Sequence, residues 1–588
     1  MDRKKVGIVI LTSVLLCVFV AWLRNDCLLG IDDADIFFSY AENFASGRGI
    51  TYGHNGVPVE GMTSFLWFLV CSLNFFLNLD EVGVFVWCTF LLLVTQALWL
   101  NLLGRFFQNR NFHIHLVAYI VLILGSPGYV PWMSITLMDT ALWGFFVAWM
   151  SHSLLDSILP GELSRRKCLL HSILFLAAPL VRPESMLVVP GLLVIILFAN
   201  IREKKKLFFV LAWCGGFLLS LGLLTAFRMS YFGYPFPNTF YAKVSPSFFV
   251  NLAGGLSYVG QFVLSGSTVA ALAVCGLCSF LRGATIFYRS RSTTQFLTSP
   301  VFCLWVWCCI LILPPILTGG DHFGYFRFFQ PVYPLMVILI ILSFDSLIPW
   351  KRLERQQRHF AGTIVLILLM SSVLGWKDSW FQWKQTPVIH HFIHSQIGRE
   401  QGRCLNEIFE SQNRKPVVGV IAAGGIARTY AGPIVDVLGL NNLEIAHFPG
   451  RREGVKNHAA FEPEAFDKTN TDILLAGPYQ RFATILKDVF QTADFASRWR
   501  FVTFWDRDHP SIQISALAKK QYLEELNAEP SIGIWDALIW DGEKWKRNPS
   551  PCPIPITGTD PALSLTFLDR ARGGRDCWRL PPGHVLWW

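Results

Sequence analysis

Residues 6–23 read VGIVILTSVLLCVFVAWL, with Arg3-Lys4-Lys5 just before them and Ile31-Asp32-Asp33-Ala34-Asp35 shortly after. Eighteen consecutive residues without a charge are enough to cross a bilayer as a helix, and the basic flank holds the N-terminus in the cytoplasm. The segment is followed by Arg24-Asn25-Asp26-Cys27, with no small-residue cleavage pattern, and reads as a retained anchor rather than a signal peptide. The acidic cluster then emerges on the far side, at the membrane surface. Carboxylates at that boundary are expensive to desolvate, which makes them candidates for function; the ordinary alternative is a hydrated loop.

The rest of the chain extends this pattern. Of 588 residues, 53% are hydrophobic and only 15% charged, with 49 Phe and 22 Trp. That composition describes a polytopic membrane protein. The net charge of +9 does not indicate nucleic acid, because the basic residues fall in short clusters between apolar segments. Those segments run near 6–23, 83–103, 113–125, 138–155, 169–181, 185–200, 207–227, 258–281, 300–317, 328–348 and 360–376. A further apolar stretch, 62–79, upsets the sidedness of the later loops if it spans. If it lies along the outer surface, the basic loops around Arg105/Arg110, Arg165–Lys167, Arg202–Lys206, Arg282–Arg291 and Lys351–Arg358 all become cytoplasmic. The positive-inside rule therefore predicts about eleven spans, N-terminus in and C-terminus out, with a long first outer loop from about 25 to 82. The span centres are nearly free of charge, which disfavours an ion-coupled transporter.

From about 377 charged residues, Pro and Asn become common. Residues 416–421, 472–475, 501–504 and 511–514 read as strands, and 388–412 as an amphipathic helix. This predicts a transmembrane domain over 1–376 and a C-terminal extracytoplasmic α/β domain over 377–588, a candidate acceptor-binding module. Gly419-Val420-Ile421-Ala422-Ala423-Gly424-Gly425 lacks nucleotide-binding glycine spacing and reads as a turn. The 14 cysteines are scattered; Cys275 and Cys278 lie inside an apolar segment, and Cys552 and Cys577 could pair only in an oxidising compartment. His390, His391 and His394 have helical spacing but read as a solvated face, and His113 and His115 as structural.

Arg24 and Arg228 read as interfacial anchors. The other polar residues on the outward side gather in compact motifs: Asp32-Asp33, Glu60-Gly61, Arg182-Pro183-Glu184, Pro237-Asn238-Thr239-Phe240-Tyr241-Ala242-Lys243, and Gly319-Gly320-Asp321-His322 with Arg327. Each has a structural alternative: a helix break with an ion pair, a snorkelling Lys, a glycine turn. Together they suit transfer of a sugar from a polyprenyl phosphate. A carboxylate takes the acceptor's proton, cations hold the leaving phosphate, and aromatic faces can stack on sugar rings.

These motifs resemble those of the GT-C superfamily of integral membrane glycosyltransferases. The nearest pattern is that of the terminal arabinofuranosyltransferases of the actinobacterial cell wall and their bacterial relatives. The matching runs are Asp32-Asp33-Ala34 through Tyr40-Ala41, Asn55 through Trp67, Val181 through Ser185, Tyr231 through Lys243, Gly319 through Phe328, and Tyr430 with Val435 through Asn441. The likeness extends from about 30 to 450 and weakens after about 480. Departures are Thr136-Leu137-Met138-Asp139-Thr140, where the family often has Gly and Glu, and Asn442 in place of an Asp. The resemblance implies an inverting transferase on the outer face of a bacterial inner membrane, taking a sugar, a pentofuranose among the candidates, to a glycan, lipid or protein acceptor. It implies Asp32, then Asp33, as general base, and Arg182, Lys243, His322 and Arg327 on the donor phosphate. Glu60, Asp139, Glu184, Asn238, Tyr241 and Asp321 would contact sugar or acceptor. Some members use a divalent metal, Mg or Mn, and others none. A flippase of lipid-linked sugars and a non-catalytic glycan-assembly partner are the alternatives; neither needs a general base.

Overall fold

The computed structural model describes residues 29–54, 56–107, 112–126, 128–159, 163–201, 203–265, 299–347, 387–450, 460–475, 492–526 and 529–550. The first and last expected spans, most of 258–281, Cys275, Cys278, Cys552, Cys577, the side chains of His113, His390 and His391, Arg24, and the boundary near 377 lie outside them.

Three described helices are long and apolar enough to cross a membrane: Asp80–Phe106, Lys204–Tyr231 and Pro300–Leu317. At 1.5 Å per residue they are about 40, 42 and 27 Å long, against a hydrocarbon core of about 30 Å. On the first two, one face of large apolar side chains points outward: Val86 is 60% exposed, Leu218 63% and Leu223 62%. Such surfaces suit lipid, not water. Shorter apolar helices are Phe65–Phe76, Ser185–Asn200, Phe248–Leu264 and parts of Phe112–Gly125 and Tyr333–Leu347. The ambiguous 62–79 stretch forms only Phe65–Phe76, opened by Ser64, whose hydroxyl accepts from Trp67 N. Its 12 residues extend about 18 Å, too short to cross a bilayer.

Local chemistry sets several boundaries. The Arg165–Val181 helix stops at Arg182, which is extended at φ −156°, because Pro183 disfavours helical geometry in the residue before it. Ser299 caps the Pro300–Leu317 helix, with Pro at its first position. The helix expected to begin near 258 begins instead at Phe248, where Ser247 accepts from Val250 N. Large aromatics fill the core: Trp67, Trp99, Trp132 and Trp307 have no exposed surface, and Trp67 Nε1 donates to Leu137 O at 3.2 Å. Truncating such a residue to Ala costs about 3–5 kcal/mol.

The described strands all lie between 418 and 547. They are β1 (Val418–Val420), β2 (Ile434–Asp436), β3 (Ile473–Leu474), β4 (Trp499–Asp506), β5 (Gln513–Lys519), β6 (Ile532–Trp540) and β7 (Trp545–Arg547). They form one sheet in the order β2-β1-β3-β5-β4-β6-β7. β1 is parallel to β2 and β3, with Val418 opposite Ile434 and Ile473; the other pairings are antiparallel. The Pro387–Ile408 helix lies in the 388–412 stretch read as amphipathic, and packs on β4, on β5 and on the Asp32–Ala45 helix. The sheet region is thus joined to the start of the apolar helical body.

Candidate active site

Asp32, Asp33 and Asp35 occupy the first turn of the Asp32–Ala45 helix, where negative charge is favoured by the helix dipole. Successive residues point about 100° apart, so Asp32 and Asp35 share a face that Asp33 does not. Asp33 turns toward the loop after Pro300–Leu317. Its side chain is 24% exposed, and Oδ2 lies 3.5 Å from Arg327 Nη1. Arg327 is buried; its Nε donates to Asp321 Oδ2 at 2.8 Å, and its guanidinium lies 4.2 Å from the Phe323 ring centre. The backbone that delivers it is unusual. Gly319 and Gly320 adopt φ of +92° and +80°, and a Cβ on Gly320 would stand 2.5 Å from that of Tyr258. Tyr325 and Phe326 are also left-handed, immediately before the Arg327–Phe329 3-10 turn.

Burial would raise the pKa of Asp321, but Arg327, helped by His322 and Lys243, holds it below the usual carboxylate range. The amide of His322 donates to Asp321 Oδ1 at 2.9 Å, and its half-exposed ring stands beside the Phe323 ring. Lys243 is half-buried, and its charge also reaches Asp436.

A second ion cluster adjoins the first. Arg182 ion-pairs with Glu184 at 3.0 Å and with Asp139 at 3.5 Å. Arg182 and Arg327 both lie over the Phe328 ring, at 5.4 and 5.2 Å from its centre. Asp139 is buried, and among the described residues its Oδ2 has no hydrogen-bond partner. Four carboxylates (Asp33, Asp139, Glu184 and Asp321) therefore face three cations (Arg182, Arg327 and Lys243) from five separate chain segments. No group of three or more His, Cys, Asp or Glu among the described residues is arranged to hold a metal.

The other predicted residues have protein partners. Asp32 is buried: Gly424 N donates to its Oδ2 at 3.0 Å and Gly425 N to its Oδ1 at 2.8 Å. Burial pushes its pKa up to about 7, against the lowering effect of those two amides. Glu60 forms a bidentate pair with Arg228, at 2.8 Å to Nε and 2.7 Å to Nη2, with both side chains 2% exposed. This corrects the expectation that Arg228 is an interfacial anchor; its charge is removed from lipid and water by Glu60. Asn238 donates to the carbonyls of Gly439 and Leu440, both at 2.9 Å, and Tyr241 packs 4.3 Å from the His447 ring. These contacts join the Pro237–Lys243 motif to the sheet region.

Residues that sequence reasoning passed over include Asp35, Ser395, Arg399, Gly424, Gly425 and Arg428. Asp35 was visible in the acidic cluster and the Gly424-Gly425 pair as a turn. Nothing in the local sequence marks Ser395, Arg399 or Arg428 as their partners.

No family model matches the chain, and no curated protein matches it. Among solved structures, ArnT from Cupriavidus metallidurans bound to undecaprenyl phosphate aligns at 13% identity over 88% of this chain and 99% of that one, with a TM-score of 0.49. The Archaeoglobus fulgidus oligosaccharyltransferase in its apo form aligns at 12% identity over 88% and 74%, with a TM-score of 0.48. The same organism's archaeal oligosaccharyltransferase AglB, in complex with an inhibitory peptide and a dolichol-phosphate, aligns at 11% over 90% and 75%, with a TM-score of 0.45. Similarity at this level does not establish a shared fold, and the site residues themselves bear on function.

Proposed function

We propose that this chain is a membrane glycosyltransferase that moves a sugar from a polyprenyl-phosphate donor to an acceptor hydroxyl on the outer face of a bacterial inner membrane, with Asp33 as general base. One observation carries the assignment. A partly exposed carboxylate stands 3.5 Å from a buried arginine 294 residues away in sequence, beside a second buried arginine cluster. Asp33 takes precedence over Asp32, because both oxygens of Asp32 are engaged by backbone amides. The motif resemblance supplies the donor class: a lipid-linked sugar, a pentofuranose among the candidates, with a glycan, lipid or protein acceptor.

In a single inverting displacement the acceptor oxygen attacks the anomeric carbon while the bond to the phosphate oxygen breaks. The acceptor's proton passes to Asp33, and the polyprenyl phosphate leaves as the anion. Arg327, 3.5 Å from its Oδ2, orients Asp33. Lys243, His322, Arg327 and Arg182 would hold the departing phosphate. Asp139, Glu184 and Asp321 restrain the two arginines. No step depends on a metal.

The test is transfer from a panel of radiolabelled polyprenyl-phosphate sugars into membrane extract. General-base catalysis contributes about 10²–10⁴-fold, so Asp33→Asn should lower turnover by that factor with donor binding retained. Absence of transfer from every donor, with lipid-linked sugar still crossing the membrane, would replace this assignment with a flippase.

A further inference from the structure

The face of the Asp32–Ala45 helix opposite the site is gripped by one segment, 395–428. Beyond the two amides on Asp32, Asp35 is fully buried and accepts from Ser395 Oγ at 2.5 Å and from Arg399 Nε at 3.0 Å. Arg428 Nη1 lies 3.5 Å from Asp35 and 2.8 Å from Glu81, and its Nε 3.1 Å from Glu42. Arg399 Nη2 also reaches Glu81 at 3.0 Å. Tyr52 donates to the carbonyl of Ala423. The glycines are required: a Cβ on Gly424 would overlap the Asp32 carbonyl oxygen, and one on Gly425 the Ser395 carbonyl oxygen.

Every carboxylate oxygen of Asp32 and Asp35 is thus spent on segment 395–428, while Asp33, one residue away, is left to the site. From this geometry we infer that segment 395–428 is a positioning device for Asp33, with Arg399, Ser395 and Gly424-Gly425 as positioning residues. This inference rests on the proposed glycosyl transfer. A carboxylate stands about 6 Å from its helix axis, so a rotation of about 15° moves it by roughly 1.6 Å. A misplacement of about 1 Å can cost about 100-fold in rate. Asp32 and Asp35, one turn apart, prevent that rotation; a single contact would leave the helix free to turn about it. The sheet region accordingly sets turnover, beyond any part it takes in acceptor binding.

The experiment uses the full chain in nanodiscs and compares Arg399→Met, Arg399→Lys and the milder Ser395→Ala with wild type. Arg399→Met should lower kcat about 10–100-fold with KM for donor and acceptor changed less than about threefold. Ser395→Ala should fall between it and wild type, and Arg399→Lys should recover part of the loss. Hydrogen exchange across residues 32–45 should accelerate at least about tenfold in Arg399→Met, while exchange in Pro300–Leu317 stays as in wild type. Unchanged exchange at 32–45, or a raised acceptor KM at constant kcat, overturns the positioning role whatever the chemistry. Accelerated exchange in a wild-type background that transfers no sugar overturns the transfer assignment instead, and with it the catalytic purpose of the grip.

Discussion

Replacing Glu60 by Met, Arg228 by Met, and both together separates a structural ion pair from a substrate contact. The pair closes 168 residues of chain, with both side chains 2% exposed and two short bidentate contacts. Arg228 Nη1 has no other hydrogen-bond partner among the described residues, so Glu60 is its principal compensation. Removing one partner of a buried pair leaves an uncompensated charge, at about 3–5 kcal/mol; replacing both with apolar groups of similar volume is often near neutral. Each single variant should therefore lower stability by about 3–5 kcal/mol. The double variant should lie within about 1 kcal/mol of wild type, for a coupling of several kcal/mol. Melting midpoints in detergent, read by intrinsic Trp fluorescence, rank the four proteins. If Glu60→Met melts with wild type yet loses sugar transfer, Glu60 contacts substrate and the pairing argument fails. Additive single effects would show equally that the two side chains are not coupled.

Three further outcomes follow from the geometry. Asp32 holds its proton up to about pH 7 in the folded protein, against 3.8 ordinarily; the native state therefore binds more protons than the unfolded state between these values, and stability from this group falls as pH rises through that window. Melting midpoints from pH 4.5 to 8 should fall more steeply in wild type than in Asp32→Asn, where buried Asp436, its pKa pushed up to about 6, keeps part of the slope. In the Phe248–Leu264 helix, a Cβ on Gly255 would overlap the Ile316 backbone, whereas Gly222 has open space; Gly255→Ala should destabilise by about 1–3 kcal/mol and Gly222→Ala should not, as thermal melts will show. Asp139→Asn should destabilise by about 1–3 kcal/mol in thermal melts, because Asp139 Oδ1 pairs with buried Arg182 at 3.5 Å, which then keeps Glu184 as its remaining carboxylate.

Much of the helical body is legible along the chain. Apolar length marks 83–103, 185–200, 207–227 and 300–317, and the corresponding helices are Asp80–Phe106, Ser185–Asn200, Lys204–Tyr231 and Pro300–Leu317. Pro183 announces the helix break that presents Arg182. The acidic first turn, the Gly319-Gly320-Asp321-His322 run and Arg327 stand out as polar islands in an apolar chain, and the structure brings Asp33, Asp321 and Arg327 together. β2 was not legible, since Ile434-Val435-Asp436 is three residues long and owes its extended form to β1 beside it. The sequence resemblance ranks Asp32 ahead of Asp33; the proposal reverses that order, because both Asp32 oxygens accept from the Gly424 and Gly425 amides, contacts no local pattern announces.

What the sequence by itself determined is which segments are apolar, where they break, and which short motifs carry charge, because those properties act over a few neighbouring residues. Only the tertiary structure decided how the charges are used. Asp32 goes to Gly424 and Gly425, Asp35 to Arg399, Glu60 to Arg228 and Asp33 to Arg327, across separations of 168 to 393 residues. A carboxylate has the same chemistry at every one of these positions. Whether it becomes a latch, a buried counter-ion or a base depends on the direction its helix turns it and on what the rest of the fold has brought there.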